Sequence, residues 1–335
     1  MTRKPREEDK PGSCDQVPVT KPTGQEPSEG PGANQGRAKK ARRDQPNPGE
    51  GLSEPPSTDG DWRAQMDAAL RRRLFATPDS YVRSARPGPR FTDLDLTPEP
   101  ATAAQVGDAS PGETGRVIIR FRHRLSDLVY FDAALEGSSV TLPEVVTLLE
   151  GRPVHGRTDE QVQQVFDFKA AAERVADLAR AGPLAPSLAT FNDLHADLMS
   201  HKPAVAGVFR GDLDRPGDGP LVRLDGGEIF HAAPDDRAHA IFADGIERIA
   251  AIPHPVVRAA TLAGWATYHQ FYRDGNKRVG RYVMNAVLMS HGHDAILVPA
   301  AEKEAYEDAL LAMYRTGRAE PYTSYLLRLW LRGGK

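Results

Sequence analysis

The stretch that is most informative about the fold is residues 265–285, which read Trp-Ala-Thr-Tyr-His-Gln-Phe-Tyr-Arg-Asp-Gly-Asn-Lys-Arg-Val-Gly-Arg-Tyr-Val-Met-Asn. Apolar and aromatic residues recur at helical spacing before this polar centre, over residues 256–271, and again after it, over residues 282–289. Asp274-Gly275-Asn276 interrupts the period, because Gly and Asn tolerate a positive φ angle at a turn. The stretch predicts a helix, a tight loop and a second helix.

This loop has the composition of an anion site. Backbone N–H groups at a loop that opens onto a helix attract phosphate oxygens. Lys277, Arg278 and Arg281 add positive charge beside the loop, and Asp274 is a carboxylate suited to holding Mg²⁺ between phosphate oxygens. The residues therefore predict a site for a phosphate-bearing ligand.

The run Asp-Gly-Asn-Lys-Arg-Val-Gly-Arg over residues 274–281 resembles the signature of the Fic/Doc family. Lys277 stands where most members of that family have Gly. The resemblance implies ATP and Mg²⁺ as cofactors, with Asp274 as the metal ligand. The nucleotide-binding residues that it implies are Gly275, Asn276, Lys277, Arg278 and Arg281.

The position of the family's general base is ambiguous in this sequence. Counting back from Asp274 without a gap places Gln270 where the family has a catalytic His. The alternative register uses His269 and adds one residue to the loop, which corresponds to about 100° and 1.5 Å along a helix. We favour the ungapped register, in which Gln270 can orient a nucleophile but cannot take its proton. Gln270, His269 and Asn276 are the candidate catalytic residues.

Two functions of different classes follow from the resemblance. The first is an adenylyltransferase that moves AMP from ATP to a hydroxyl of a protein target, or a phosphate, as in the toxin–antitoxin-like Doc branch. The second is a catalytically impaired Fic fold that acts as a nucleotide- or protein-binding regulator. A DNA-contacting regulator that uses the basic cluster Lys39–Arg43 is a weaker third idea, and the net charge of −3 argues against it.

A second motif resembles the inhibitory helix of some Fic proteins, Ser/Thr-x-x-x-Glu-Gly/Asn. Glu136 and Gly137 match it, and Asp132 takes the Ser/Thr position, where Asp could also cap a helix. The resemblance implies that Glu136 pairs with Arg281 and so restrains the site, because a carboxylate and a guanidinium form a charge-assisted pair. Glu150, followed by Gly151, ranks second for this role.

The segment 221–231 contains Asp-Gly-Gly between two short apolar runs, which predicts a β-hairpin. In the family a hairpin at this place, the flap, docks the target protein by strand addition. His195 lies on a predicted helix and resembles a structural His of Fic domains, and a structural role is favoured over a catalytic one. Val117–Phe121 could be an edge strand or the start of a helix.

The predicted fold class is mainly α: a Fic-type helical bundle with a small β-hairpin flap, preceded by a disordered N-terminal region. Residues 1–60 are rich in Pro, Gly and charged residues and predict a disordered tail. Residues 61–115 are interpreted as a linker with a possible short helix at Trp62–Phe75. Residues 116–180 form the N-terminal helical part that carries the Glu-Gly motif, and residues 181–331 form the Fic core.

Composition excludes several kinds of site and several kinds of partner. The single cysteine, Cys14, excludes an internal disulfide and a cysteine-based zinc site. No run approaches 18 apolar residues and no Sec-type signal peptide is visible, so we expect no membrane partner and a cytoplasmic location. The charge balance gives no support for specific nucleic-acid binding. Export as an effector and the oligomeric state are left open.

Overall fold

The computed structural model describes residues 86–107 and 109–333. The predicted tail 1–60, the basic cluster Lys39–Arg43 and the possible helix Trp62–Phe75 lie outside these residues. Eleven α-helices and three strands are present in the described part. In chain order they are β1 (Arg86–Arg90), α1 (Pro100–Gly107), α2 (Thr114–His123), α3 (Leu125–Leu135), α4 (Leu142–Leu149), α5 (Asp159–Arg180), α6 (Leu188–Leu198), β2 (Leu221–Arg223), β3 (Glu228–His231), α7 (Ala238–Ala250), α8 (Pro255–His269), α9 (Asn276–Ser290), α10 (Lys303–Thr316) and α11 (Glu320–Gly333).

Helices α8 and α9 are the centre of the bundle. Nearly all of their residues are buried, so each helix is covered on all sides rather than on one face. Helices α5 and α6 pack against α9, while α11 packs against α8. At Gly280 an added Cβ would lie 3.0 Å from the carbonyl oxygen of Ala263, so this glycine allows the two central helices to approach closely. The mainly helical prediction is confirmed.

Local sequence signals set several helix starts. Thr158 and Gln161 form a reciprocal capping box at α5, in which Gln161 N donates to Thr158 Oγ1 at 3.2 Å and Thr158 N donates to Gln161 Oε1 at 3.2 Å. Helix α8 begins with Pro255 after His254, whose Nδ1 accepts from Val256 N at 3.3 Å. These contacts satisfy N–H groups that have no partner within the helix.

The hairpin predicted in residues 221–231 is confirmed. Strand β2 pairs with β3 in antiparallel fashion, with Val222 opposite Phe230. Strand β1 pairs with the other edge of β3 in parallel, so the order of the sheet is β1-β3-β2. Strand β3 is therefore central, and β2 is an edge strand in the described part of the chain.

The structure differs from the linker interpretation of residues 61–115 where it describes them. The interval contains β1 and α1, and Leu94 and Val106 are buried in the core at 2% and 0% exposure. The proline-rich composition concealed this, because β1 is built from backbone pairing to the flap rather than from an apolar pattern. Val117–Phe121 is helical and belongs to α2. No helix among the described residues is long and apolar enough to cross a membrane.

Candidate functional site

The polar loop between α8 and α9 depends on two left-handed residues. Gln270 ends α8 with φ 52° and ψ 57°, and Gly275 begins α9 with φ 75°. A Cβ at position 275 would lie 2.9 Å from Met199 Sδ and 3.0 Å from His195 Nε2. Glycine is thus required there both by its φ angle and by the neighbours that pack against it.

Asn276 closes the loop from within. Its Oδ1 accepts from Tyr272 N at 2.9 Å, and its Nδ2 donates to Tyr272 O at 2.7 Å and to Gln270 Oε1 at 2.9 Å. The side chain is 4% exposed. Asn276, predicted as a catalytic and nucleotide-binding residue, therefore uses its side chain to shape the loop. What it can offer a ligand is its backbone N–H at the start of α9.

His195 supports the same loop from α6. Its Nε2 lies 2.9 Å from Asp274 O, its Nδ1 accepts from Gly207 N at 2.9 Å, and its ring stacks on Tyr272 with centroids 3.8 Å apart. Burial lowers the pKa of His195 to about 4, so the ring is neutral near pH 7 and Nε2–H is the donor to Asp274. These contacts give His195 a structural role.

Arg210 holds the other end of the loop, and its side chain is fully buried. Nε donates to Gln270 O at 2.7 Å and Nη2 donates to His269 O at 3.2 Å, which satisfies carbonyls at the end of α8. Nη1 pairs with Asp235 at 3.0 Å, and Asp235 also accepts from Arg273. Asp235 was missed, because a single Asp after a hairpin carries no signal of burial.

Asp274 projects from the loop between two cations. Its Oδ1 accepts from Gly275 N at 2.7 Å and Arg278 Nη2 at 3.0 Å, and its Oδ2 accepts from Lys202 Nζ at 3.1 Å. Burial alone would raise the pKa of Asp274, but Arg278 and Lys202 hold it at about 2. The side chain is a carboxylate at neutral pH and is 44% exposed. Lys202 was not identified from the sequence.

Arg278 is the cation with unused hydrogen-bonding capacity. It is 3% exposed, and its Nε and Nη1 atoms are buried without a hydrogen-bond partner among the described residues. Glu136 Oε2 approaches Nε at 3.5 Å, which is an ion-pair distance rather than a hydrogen bond. Buried guanidinium donors without acceptors are costly, so this position is suited to receive an anion.

Arg281 is fully engaged instead. Nε donates to Asp132 Oδ1 at 2.8 Å, Nη1 donates to Tyr306 Oη at 2.8 Å, and Nη2 donates to Glu136 Oε1 at 3.3 Å. The pairing of Glu136 with Arg281 expected from the sequence is present. Asp132, at the Ser/Thr position of the motif, lies inside α3 and binds Arg281. The second-ranked Glu150 is on the surface and pairs with Arg152.

A cleft of about 560 Å³ opens over the loop, a size within the range of small-molecule sites. The flap segment Leu221–Asp225 and residues of α10 form its walls. The floor is formed by residues of the loop and by Glu136, namely Gln270, Arg273, Asp274, Gly275, Asn276, Lys277 and Arg278. No side chain caps the N-terminus of α9, so its first N–H groups face this floor unpaired within the helix.

The structure separates the two candidates for the general-base position. Gln270 borders the cleft, but its Nε2 donates to Thr267 O at 2.6 Å and to Tyr314 Oη at 2.9 Å, while Oε1 accepts from Asn276. His269 is 4% exposed, packs among aromatic rings and is not part of the cleft. Burial lowers its pKa to about 3. The register that uses His269 as the base therefore places it away from the cleft.

The donor set fits Mg²⁺ only in combination with a ligand. Among the described residues, no group of three or more His, Cys, Asp or Glu side chains could hold a metal ion by itself. Mg²⁺ is commonly held by one or two carboxylates together with substrate phosphates. Asp274, a partly exposed carboxylate on the floor of the cleft, fits that arrangement.

Comparison with known proteins identifies the fold around this loop. A family model described as Fic/DOC family matches residues 185–288, which include α6, the flap, α8 and nearly all of α9. Residues 185–288 are a Fic/DOC segment. The Fic/DOC segment thus contains His195, Arg210 and the whole loop from Gln270 to Arg281.

Curated relatives that match the chain include proteins named protein adenylyltransferase Fic. The one from Drosophila grimshawi is 23% identical over 207 residues, which is 59% of this chain and 40% of that protein. The one from Drosophila erecta is 24% identical over 207 residues and is covered to 39%. The chain therefore spans about two fifths of the length of these relatives.

Solved structures share the fold. A Fic family protein from Desulfovibrio desulfuricans superposes with a TM-score of 0.54 at 20% identity, covering 71% of this chain and 75% of that one. Fic-1 from C. elegans (residues 134–508 of that protein) gives a TM-score of 0.51 at 17% identity, covering 82% and 76%. At these identities the likeness establishes the Fic fold.

Proposed function

We propose that the cleft binds ATP through its phosphates and transfers AMP to a hydroxyl group of a protein segment, in a site restrained by Glu136. The observation that carries the proposal is the pair of buried, unpartnered donors of Arg278 beside the uncapped start of α9. Both features attract an anion, and the charge of Lys277 on the same floor adds to them. The names of the relatives supply the adenylyl group as the part transferred.

In this proposal the loop stabilises charge on the phosphates. The N–H groups at the start of α9, with Arg278 and Lys277, face the developing negative charge, and donors fixed before the reaction act without reorganisation. Asp274 would hold Mg²⁺, which supplies charge neutralisation between phosphate oxygens when bound. The hydroxyl oxygen bonds to the α-phosphorus, the α–β anhydride bond breaks, and pyrophosphate leaves with the electron pair.

The target segment would dock on the flap. Strand β2 lies at the edge of the sheet in the described part of the chain, and Leu221–Asp225 forms a wall of the cleft. An extended segment that adds to β2 by backbone hydrogen bonds would place its side chains beside the phosphate site. The flap at 221–231 is therefore our proposed partner surface.

Gln270 limits the rate in this proposal. As a neutral amide it cannot accept the proton of the hydroxyl, and its side-chain donors are already bound to Thr267 and Tyr314. The proton would pass to water in the open cleft. Transfer then relies on positioning and on the phosphate-binding groups, so we expect slow turnover, about 10²–10⁴-fold below that of a site with a positioned base.

The unpartnered donors of Arg278 beside the start of α9 also favour a second function. In this function the Fic fold is a regulator that binds a nucleotide or a protein segment and catalyses no reaction. The two functions share the binding step and differ only in transfer. Incubation of the full chain with ATP labelled at the α-phosphate, in parallel with ATP labelled at the γ-phosphate, separates them. Label retained on protein from the α-position indicates AMP transfer, label from the γ-position indicates phosphate transfer, and neither indicates a binder.

Binding itself is tested by calorimetry with ATP and Mg²⁺ on the full chain. Arg278→Gln is expected to abolish binding, because it removes the cation with free donors. Arg328→Gln is the matched control, since Arg328 is an exposed arginine of α11 that pairs with Glu99. Binding that survives Arg278→Gln unchanged would refute the assignment of the phosphate site.

Glu136→Gly is expected to tighten ATP binding by removing a carboxylate from the floor of the cleft.

A further inference from the structure

Arg281 is buried at 2% exposure, and each of its three guanidinium nitrogens has an acceptor. Asp132 Oδ1 lies 2.8 Å from both Nε and Nη2. Glu136 Oε1 makes the longer contact of 3.3 Å, to Nη2. Of the two carboxylates, Asp132 is thus closer to Arg281, and it contacts two guanidinium nitrogens where Glu136 contacts one. Arg281 does not line the cleft, in contrast to Arg278.

The two carboxylates differ in how they can leave Arg281. Glu136 follows the last residue of α3, borders the cleft and precedes Gly137, which has φ 82°. Its side chain is 14% exposed and can turn into the cleft while the backbone stays in place. Asp132 lies inside α3 at 3% exposure, between Val129 at 0% and Ala133 at 1%. Asp132 can leave only if the helix itself moves.

The second carboxylate oxygen of Asp132 also opposes the separation of Asp132 from Arg281. Oδ2 is buried and has no hydrogen-bond partner among the described residues. Separation from Arg281 would leave the buried carboxylate without its cation, which is strongly unfavourable. Asp132 therefore stays on Arg281 when Glu136 departs.

We propose that Asp132 is a second, independent lock on Arg281, so that removal of Glu136 alone leaves Arg281 closed to a terminal phosphate. This inference rests on the proposed function, because it concerns access of a nucleotide to that same site. In this proposal Asp132 determines how strongly the site prefers ATP to ADP. While Asp132 holds Arg281, that guanidinium is not available to a third phosphate, which must bind to the groups that already line the cleft.

The ratio of ATP affinity to ADP affinity measures this directly. Wild type, Asp132→Ser, Glu136→Gly and the double variant are titrated with ATP and with ADP, each with Mg²⁺. Glu136→Gly is expected to tighten both nucleotides together and to leave the ratio within about threefold of one. The double variant is expected to raise the ratio by at least about tenfold, since Arg281 becomes available only to the triphosphate. A ratio in Glu136→Gly equal to that of the double variant would overturn the proposal.

A second measurement tests the lock without any nucleotide. In the Glu136→Gly background, urea unfolding is compared for Asp132→Ser, Arg281→Met and both changes together. If Asp132 holds Arg281 independently, Asp132→Ser lowers the midpoint much more when Arg281 is present than when it is Met. Equal losses in the two backgrounds would overturn the proposal, because they show no coupling in the absence of Glu136.

The two measurements distinguish failure of the lock from failure of the proposed function. If no variant binds nucleotide but the coupling is present, the nucleotide-binding proposal fails and the lock stands. If nucleotide binds and the coupling is absent, the lock fails alone. Should Asp132→Ser not fold, Asp132→Asn retains the Oδ1 acceptor without the charge and is expected to raise the ratio partly; an unchanged ratio would then count against the lock.

Discussion

Asn276 Nδ2 and Gln270 Oε1 are joined by a hydrogen bond of 2.9 Å that spans the loop between the two central helices. The bond ties the first residue of α9 to the residue that follows α8. It also occupies the side chain that borders the cleft at the position where the Fic/Doc signature has its base. The bond therefore restrains the loop where we propose that phosphate binds, and it engages the side chain that would otherwise lie nearest to an incoming hydroxyl.

Gln270→His is expected to raise AMP transfer by about 10²–10⁴-fold, because it supplies a base beside the phosphate site. His is among the residues that tolerate the left-handed conformation found at position 270. The measurement is transfer of α-phosphate label in the Asp132→Ser, Glu136→Gly background. Gln270→Asn is the control, since Asn accepts the same backbone conformation but is not a base. Equal rates for the two variants would contradict a role for this position in proton transfer.

Asn276→Ala is expected to destabilise the fold by about 2–3 kcal/mol and to abolish nucleotide binding. It leaves the buried Tyr272 N–H without its acceptor and frees the loop. Urea unfolding and calorimetry measure the two effects. Asn285→Ala is a matched control, because Asn285 makes a similar pair of buried backbone bonds to Ile296 away from the cleft. It should cost similar stability and leave binding intact, whereas loss of binding in both variants would indicate a general effect of destabilisation.

Stability should fall as pH decreases from 6.5 towards 5. The folded-state pKa of His195 is lowered by burial to about 4 and that of His269 to about 3, both below the ordinary value of 6.5. The unfolded chain therefore takes up protons in this window that the folded chain does not, and stability is lost as pH falls. Each histidine contributes a slope of about 1.4 kcal/mol per pH unit at most.

His195→Gln tests whether the lowered pKa of His195 contributes to this pH dependence. The variant should be less stable than wild type at pH 7, because Gln reproduces the contacts to Asp274 and Gly207 only in part. Its stability should depend less steeply on pH, by up to the contribution of one histidine. Urea midpoints measured at several pH values give both quantities. Parallel pH dependences for the variant and wild type would show that His195 titrates normally.

Gly88→Ala is expected to break the pairing of β1 with the flap. An added Cβ would lie 2.3 Å from Ile229 O, on the backbone of β3. Hydrogen exchange at the amide of Phe91, which donates to His231 O at 2.7 Å, should become at least about tenfold faster. Gly107→Ala at the end of α1 is the control, since nothing lies within 4 Å of its added Cβ. Unchanged exchange at Phe91 in Gly88→Ala would contradict the close pairing.

Local sequence patterns were sufficient to predict the central helices, the loop between them and the hairpin. Helical spacing on both sides of Asp274-Gly275-Asn276, and Asp-Gly-Gly between two apolar runs, are local patterns that need no knowledge of distant contacts. The resemblance at Glu136 and Arg281 also pointed to a pair that the structure contains.

Which polar side chains keep unused hydrogen-bonding groups depends on the packing of distant parts of the chain. Asp132, Asp235 and Lys202 reach the site from 149, 38 and 72 residues away from their partners Arg281, Arg273 and Asp274. Such distances leave no periodic signal in the chain. Burial then sets the chemistry: Arg278 keeps unpartnered donors, Arg281 has none, and Gln270 has its donors engaged. Whether a polar group is available depends on packing in three dimensions, because desolvation and pairing are properties of the folded neighbourhood and not of the residue type.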